Sequence, residues 1–298
     1  MAGAGSAASG PSVAGAGSAA SGPRVRRVVT TRTGGVSKSP YDGFNLGDHV
    51  GDDPEAVAVN RSRLAAQIGV DEASVVWMEQ IHSRNVTVVD ESTWSLPDVE
   101  HVGPSIRVPA TDALVTTMPG VALAVLSADC VPVLLSDDAA GVIAGVHAGR
   151  VGARIGILPA TLRAMIRLGA RPERIGAFLG PAASGERYEV PDVMQRDVEE
   201  HLPGSACRTA RGTAGLDLRA GIRRQLLAAG VGAVAIDPRC TIADTSLFSH
   251  RRAAPTGRLA SVIWIDPAPT AASAPIDPAV TDEVDDGRVG SMSTVAPR

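Results

Sequence analysis

Short β-branched runs separated by turn residues fill the middle third of the sequence and indicate a sheet-rich fold. These runs are 75–78, 86–89, 113–116, 121–126, 131–135 and 142–146. Further strands are predicted at 25–32, 175–179, 234–236 and 260–265, and helices at 54–68, 155–168 and 218–229. Because strands and helices do not alternate regularly, the pattern favours an α+β layered domain over a doubly wound parallel sheet.

The two ends of the chain differ in composition from its centre. The block AGAGSAASGP occurs at 2–11 and again at 14–23, and these small residues have little side chain to bury. The segment 267–298 is rich in Pro, Ala, Ser, Thr and Asp and lacks a helical or strand period. We therefore predict disordered tails at 1–23 and 267–298, with the functional domain at 24–266.

Composition narrows the class of protein. The 298 residues carry a formal net charge of −4, which argues against a nucleic-acid partner, and 44% hydrophobic residues suffice for a core. No run approaches the length of a membrane span, and the first 23 residues lack the pattern of a signal peptide. Three widely spaced cysteines favour free thiols in a reducing compartment. We therefore expect a cytoplasmic protein.

Three side chains with metal-binding chemistry terminate or interrupt apolar runs. Asp129 and Cys130 stand where an apolar run breaks before a proline, His82 lies between two predicted strands, and His147 follows the run 142–146. Each one alone is as compatible with packing as with function. Glycines around His147 would allow backbone to come close to a ligand.

These three positions predict an open metal site if the fold brings them together. Cys130 lies 48 residues after His82 and 17 residues before His147, unlike the compact pairs of a zinc finger, so spacing alone does not establish convergence. Two imidazoles and one thiolate would leave a fourth position for water, as in catalytic zinc sites. Water on such an ion ionises near neutral pH.

The chain resembles the YfiH-like family, whose members are described as laccase-domain proteins or multicopper polyphenol oxidases and as purine nucleoside phosphorylases. The matching segments are 30–37, 45–47, 60–61, 80–82, 128–132, 147–149, 180–181, 188–190, 240–241, 251–252 and 256–258. The resemblance implies a single α/β sandwich-like domain with mixed β-sheets flanked by helices. It also implies that His82, Cys130 and His147 bind one zinc ion, with copper as the alternative.

Two positions depart from the family pattern. Arg150 follows His-Ala-Gly where the family usually has Trp, and His250 follows Phe-Ser where Tyr is common. Arg150 would alter the wall beside a ligand. Neither departure removes a proposed metal ligand.

The resemblance implies phosphorolysis of adenosine, inosine and methylthioadenosine, with adenosine deamination as a second activity. For deamination, Asp129 is a candidate proton shuttle. For phosphorolysis, guanidinium groups could bind phosphate bidentately. The candidate substrate-binding residues, each with a structural role as the alternative, are Arg32, Asn45, Arg61, Gln80 and Arg251, with Arg252 and the amides of Gly34 and Gly35 as further phosphate donors. The expected partners are a nucleoside and phosphate, and we expect a monomer.

Other functions remain open at this point. A laccase needs several coppers and hence many histidines, whereas the chain has six in all. A Cys130–His147 hydrolase without metal could edit an amide in a peptidoglycan precursor. A non-enzymatic binding protein stabilised by zinc would instead need a closed four-ligand site.

Overall fold

The computed structural model describes residues 24–267 and the backbone of residues 294–295. The strands are β1 Val25–Thr30, β2 Val75–Met78, β3 Val86–Val89, β4 Glu100–Val102, β5 Ser105–Val108, β6 Ala113–Thr116, β7 Ala122–Ser127, β8 Val131–Asp137, β9 Val142–Ala148, β10 Gly176–Leu179, β11 Ala206–Arg208, β12 Ala214–Leu216, β13 Ala233–Ile236, β14 Leu259–Ile265 and β15 Thr294–Val295. The helices are α1 Pro54–Ile68, α2 Arg150–Arg154, α3 Ile157–Arg167, α4 Asp192–His201 and α5 Leu218–Ala228.

Two large mixed sheets form the centre of the fold. The seven-stranded sheet has the order β15-β1-β14-β7-β2-β5-β4, and the six-stranded sheet has the order β13-β10-β8-β9-β6-β3. Both contain parallel pairs, such as β2 with β7 and β3 with β6, beside antiparallel ones such as β8 with β9. The predicted α+β fold with mixed sheets is confirmed.

Three apolar clusters arrange these elements in layers. One cluster lies between the two sheets and joins Leu123 and Ile263 of the first sheet to Leu134 and Ile143 of the second. A second packs α3, α4 and α5 against the other face of the six-stranded sheet. A third, which includes Leu64, packs α1 against the outer face of the seven-stranded sheet. The order is helix, sheet, sheet, helices, because each sheet has two apolar faces to bury.

Helix α1 has the predicted bounds because both of its ends are encoded locally. Asp53 accepts a hydrogen bond from the Glu55 backbone N–H, and Pro54 occupies the first turn, where its missing N–H costs nothing. Gly69 ends the helix in the left-handed region, at φ 67°.

Other boundaries differ from the sequence prediction. The first strand ends at Thr30 rather than at residue 32, and the helix predicted at 155–168 starts at Ile157 because Gly156, at φ 93°, separates it from α2. The prediction did not include α4, in which Val198 is the only fully buried residue. The short strands β4, β5, β11 and β12 were also not predicted.

The two predicted tails lie outside the described residues, apart from residue 267 and the pair 294–295, which adds a parallel strand to β1. Among the described residues, no helix has both the length and the apolar character needed to cross a bilayer.

Candidate metal centre

His82, Cys130 and His147 come from three separate elements that end at one edge of the sandwich. His82 lies in the loop after β2, and His147 is the penultimate residue of β9. Cys130 lies between β7 of the seven-stranded sheet and β8 of the six-stranded sheet, so the chain crosses from one sheet to the other at this point. The layering therefore brings together side chains that are far apart in sequence.

The possible ligand atoms of these residues all lie within 4.8 Å of one another. Cys130 Sγ is 3.7 Å from His82 Nε2, and the two imidazole rings meet edge to face with their centroids 4.8 Å apart. Two ligands of a tetrahedral zinc ion lie about 3.4 to 3.8 Å apart, given Zn–N and Zn–S bonds of about 2.1 and 2.3 Å. The three side chains can therefore bind one metal ion with small rotations.

Asp112, just before β6, bonds both to the His147 imidazole and to the backbone of the loop that carries His82. Its buried carboxylate lies 2.8 Å from His147 Nδ1, which leaves His147 Nε2 available to a metal. The same carboxylate accepts hydrogen bonds from the backbone N–H groups of Ile81, His82 and Ser83 and from the Ser83 hydroxyl. Burial alone would raise the pKa of Asp112, but the hydrogen bonds from His147 and Ser83 outweigh it and lower that pKa. A carboxylate behind a ligating histidine is the usual outer partner in zinc sites.

Because Gly149 has no side chain, it leaves room for the side chains of His82 and Cys130. A Cβ at this position would lie 2.7 Å from His82 Cδ2 and 2.9 Å from Cys130 Sγ, both closer than van der Waals contact. The glycine is therefore needed for close approach to the donor atoms, as the sequence pattern around His147 suggested.

Electrostatic coupling favours the ionised form of the thiol. Burial acts to raise the pKa of Cys130, but charge and hydrogen bonding from His147 and His82 lower it to about 6. Burial acts to lower the pKa of His147, but Cys130 and Asp112 raise it to about 9. The site thus holds a thiolate, the form that binds metals and attacks electrophiles.

Asp129 is fixed by hydrogen bonds in a strained backbone conformation. Its φ is 95°, and His82 also has a positive φ, at 60°. One carboxylate oxygen of Asp129 accepts from the Thr241 hydroxyl at 2.6 Å and the other from the Arg251 backbone N–H at 2.7 Å. Asp129 therefore connects the segment between β13 and β14 to the loop that carries Cys130.

Both predicted substrate-binding amides, Gln80 and Asn45, form hydrogen bonds with the backbone of other residues. The Gln80 side chain donates to the Leu126 carbonyl and accepts from the Leu126 N–H, so it acts as a strand partner at the end of β7. The buried Asn45 side chain accepts from the N–H groups of Gly47 and Arg258 and donates to the Gly47 carbonyl. Both amides hold the loops that carry the site.

Two of the predicted substrate-binding arginines have carboxylate partners. Arg61 is buried, stacks on Trp77 with its Cζ 4.1 Å from the ring centroid, and pairs with Asp48 at 3.2 Å. Arg32 pairs with Asp42 at 2.8 Å. Arg252, the further candidate, donates to backbone carbonyls of the loop at 241–247.

Arg251 is placed differently, since it lies exposed beside the cluster. Its guanidinium lies over the Tyr188 ring, with Cζ 5.0 Å from the centroid, and its Nη1 donates to the Glu189 carbonyl. The charges of Arg150 and Cys130 both act on the Tyr188 phenol. Burial is the largest cause that raises the pKa of Tyr188. Of the five predicted substrate-binding residues, Arg251 is thus the one connected to the cluster through Tyr188.

The chain belongs to the family described as multi-copper polyphenol oxidoreductase laccase, which matches residues 26–266. Solved members share its fold. The Neisseria meningitidis protein NMB0706 of family DUF152 has a TM-score of 0.71 at 38% identity, over 82% of this chain and 95% of that one. YlmD from Geobacillus stearothermophilus has a TM-score of 0.73 at 32% identity, over 83% and 97%. The predicted YfiH-like resemblance is confirmed.

Curated relatives carry a different name from the family. A purine nucleoside phosphorylase of Corynebacterium glutamicum is 61% identical over 241 residues, which cover 81% of this chain and 94% of the relative. One of Mycobacterium tuberculosis is 55% identical over 242 residues, covering 81% and 92%. Within the described residues, His82, Cys130 and His147 form the only group of three or more such donors close enough for a metal ion.

Sequence reasoning missed Asp112 as a residue of the site. Its signal is a single acid before an apolar strand, which many surface loops share. Arg258 and Tyr188 stand in segments that match the family, but nothing in the sequence separated their roles from packing.

Proposed function

We propose that the chain is a zinc-dependent purine nucleoside phosphorylase that converts adenosine, inosine and methylthioadenosine to the free base and ribose 1-phosphate, with adenosine deamination as a second activity. The observation that carries the proposal is the convergence of His82, Cys130 and His147, whose donor atoms lie within 4.8 Å of one another. The curated relatives named purine nucleoside phosphorylase support the reaction class.

The residues fit a metal ion by their chemistry as well as by distance. His82, Cys130 and His147 would hold it, with Asp112 fixing the His147 tautomer. Zinc bound there would supply a Lewis acid and would lower the pKa of a bound water. Zinc suits one thiolate and two imidazoles. Copper also binds these donors, so metal analysis must decide between the two ions.

In phosphorolysis, a phosphate oxygen attacks the ribose C1′ while the bond from C1′ to the base nitrogen breaks, and the departing base takes up a proton. The protein must therefore hold an anion beside the sugar and stabilise a leaving group that gains electrons. Arg251 presents an exposed guanidinium beside Tyr188 for the phosphate. Asp129 positions that arginine, since its carboxylate accepts the Arg251 backbone N–H.

The test is a chromatographic screen of the three nucleosides, each with and without phosphate, on protein whose metal content has been measured. We expect free base only with phosphate, and inosine from adenosine with or without it. His82→Ala, Cys130→Ala and His147→Ala should lose metal and turnover, whereas the control Cys207→Ala should keep both. Full turnover in a metal-free variant would overturn the metal-dependent mechanism, and base release at an unchanged rate without phosphate would indicate hydrolysis.

A second candidate function rests on the hydrogen bond between Asp112 and His147. Asp112, His147 and Cys130 stand in the order acid, imidazole and thiol, as in cysteine hydrolases that cleave amides without metal. On this hypothesis the thiolate is the nucleophile, and a peptidoglycan precursor is a possible substrate. It predicts that His82→Ala and removal of metal leave amide cleavage intact.

A further inference from the structure

Three guanidinium groups surround the cysteine end of the cluster. Arg150 begins α2, directly after Gly149, and its charge acts on the Tyr188 phenol. Arg251 stacks on the same tyrosine. Arg258 interacts electrostatically with Cys130 and Asp129, and it donates hydrogen bonds to backbone carbonyls at 256 and 257.

None of these three arginines pairs with a carboxylate within 4.0 Å in the described part of the chain. The nearby acid, Asp129, uses its two oxygens to accept from the Thr241 hydroxyl and from a backbone N–H instead. Arg154, in the same helix as Arg150, differs because it pairs with Asp197. Burial lowers the pKa of Arg258, whereas the charges of Cys130 and Asp129 act to raise it.

Arg150 and Arg251 form no carboxylate ion pair among the described residues, so their guanidinium groups can bind an anionic ligand. The rest of the molecule does not supply a general excess of positive charge, since the formal net charge is −4. The positive charge is therefore local. Phosphate suits this site because its oxygens accept paired hydrogen bonds from planar guanidinium groups.

We infer that Arg150 binds the inorganic phosphate co-substrate together with Arg251, and that it sets the preference of this site for phosphate over water as the attacking group. This inference rests on the proposed phosphorolysis. Tyr188 is the residue on which both act, since the Arg251 guanidinium lies over its ring and the charge of Arg150 acts on its phenol. Gly149, the neighbour of Arg150, lies against His82 and Cys130, so a phosphate held by Arg150 lies next to the metal ligands.

The direct test is calorimetric titration of the zinc-loaded full chain with inorganic phosphate at constant ionic strength. Loss of a bidentate charged contact should weaken phosphate binding roughly 10- to 100-fold in Arg150→Ala. Arg150→Lys keeps the positive charge but loses the planar guanidinium group. Its phosphate affinity should therefore lie between those of Arg150→Ala and the native protein. Arg154→Ala is the matched control, because Arg154 lies one turn along the same helix and pairs with Asp197.

Kinetics then separate this inference from the proposed function. Arg150→Ala should raise the KM for phosphate by a similar factor, with the KM for the nucleoside unchanged, whereas a merely structural role would alter both. Phosphate binding that depends on Arg150 without any base release would support the anion site and overturn the phosphorylase. Base release with an unchanged KM for phosphate in Arg150→Ala, or native-like phosphate binding in that variant, would overturn the role of Arg150.

Discussion

Asp112 accepts hydrogen bonds both from His147 and from the backbone of the loop that carries His82. A single buried carboxylate therefore positions two of the three proposed ligands. All of its partners are donors, so the site requires an acceptor at both oxygens.

We predict that Asp112→Asn lowers zinc affinity roughly 10- to 100-fold, the usual effect of losing an outer partner of a ligating histidine. The carboxamide would turn an N–H group toward other donors and would leave His147 without a negative partner. Competition with a chromogenic chelator measures the affinity. Asp197→Asn, at an exposed ion pair, should bind zinc as the native protein does, and equal affinity in Asp112→Asn would contradict the assigned role.

The ionisation of Cys130 leads to a second prediction, on metal-free protein. With its pKa near 6, Cys130 should be thiolate at neutral pH and should react with iodoacetamide as pH rises through about that value. Burial raises the pKa of Cys207, so that thiol should react only at higher pH and serves as an internal control. Mass spectrometry of labelled peptides measures both profiles. His147→Ala should move the Cys130 profile to higher pH, and identical profiles for the two cysteines would refute the coupling.

Among the secondary-structure elements, the segment from β9 into α2 controls access to the donor atoms. His147 is the penultimate residue of the strand, Gly149 precedes the helix, and Arg150 is the first residue of the helix. The absence of a side chain at Gly149 lets this turn pass against His82 and Cys130.

We predict that Gly149→Ala abolishes tight zinc binding, because its methyl group would lie within 3 Å of two ligand side chains. Gly176→Ala, in β10, is the matched control, since a Cβ there meets no atom within 4 Å. Elemental analysis of both purified variants, with circular dichroism to check folding, measures the outcome. A full zinc complement in folded Gly149→Ala would show that residue 149 does not lie as close to His82 and Cys130 as described.

The sequence alone predicted the secondary-structure elements that have strong local signals. The apolar spacing over 54–68, ended by Gly69, predicted α1, and the β-branched runs located most central strands. Helix α4 was missed because only Met194 and Val198 of its ten residues pack against the apolar core. The internal bonding of Gln80 could not be predicted either, because its partner Leu126 is 46 residues away.

For the whole molecule, the two-sheet arrangement creates the site. The crossing from β7 to β8 places Cys130 at the edge where the loop after β2 and the end of β9 also meet. Strand order is a long-range property, so the residues alone suggested three candidate ligands but not their convergence. The family resemblance predicted that the three side chains bind one ion, which residue spacing alone could not predict. Asp112 and the unpaired arginines became visible only with the coordinates.

X-ray absorption at the zinc edge, on purified zinc-loaded protein, tests the central claim most directly. We expect one sulfur neighbour at about 2.3 Å, two imidazole nitrogens at about 2.0 Å and one further light atom. In Cys130→Ser the sulfur signal should vanish, whereas in Cys207→Ser it should persist. A spectrum without sulfur, or one that Cys130→Ser leaves unchanged, would show that His82, Cys130 and His147 do not hold the ion.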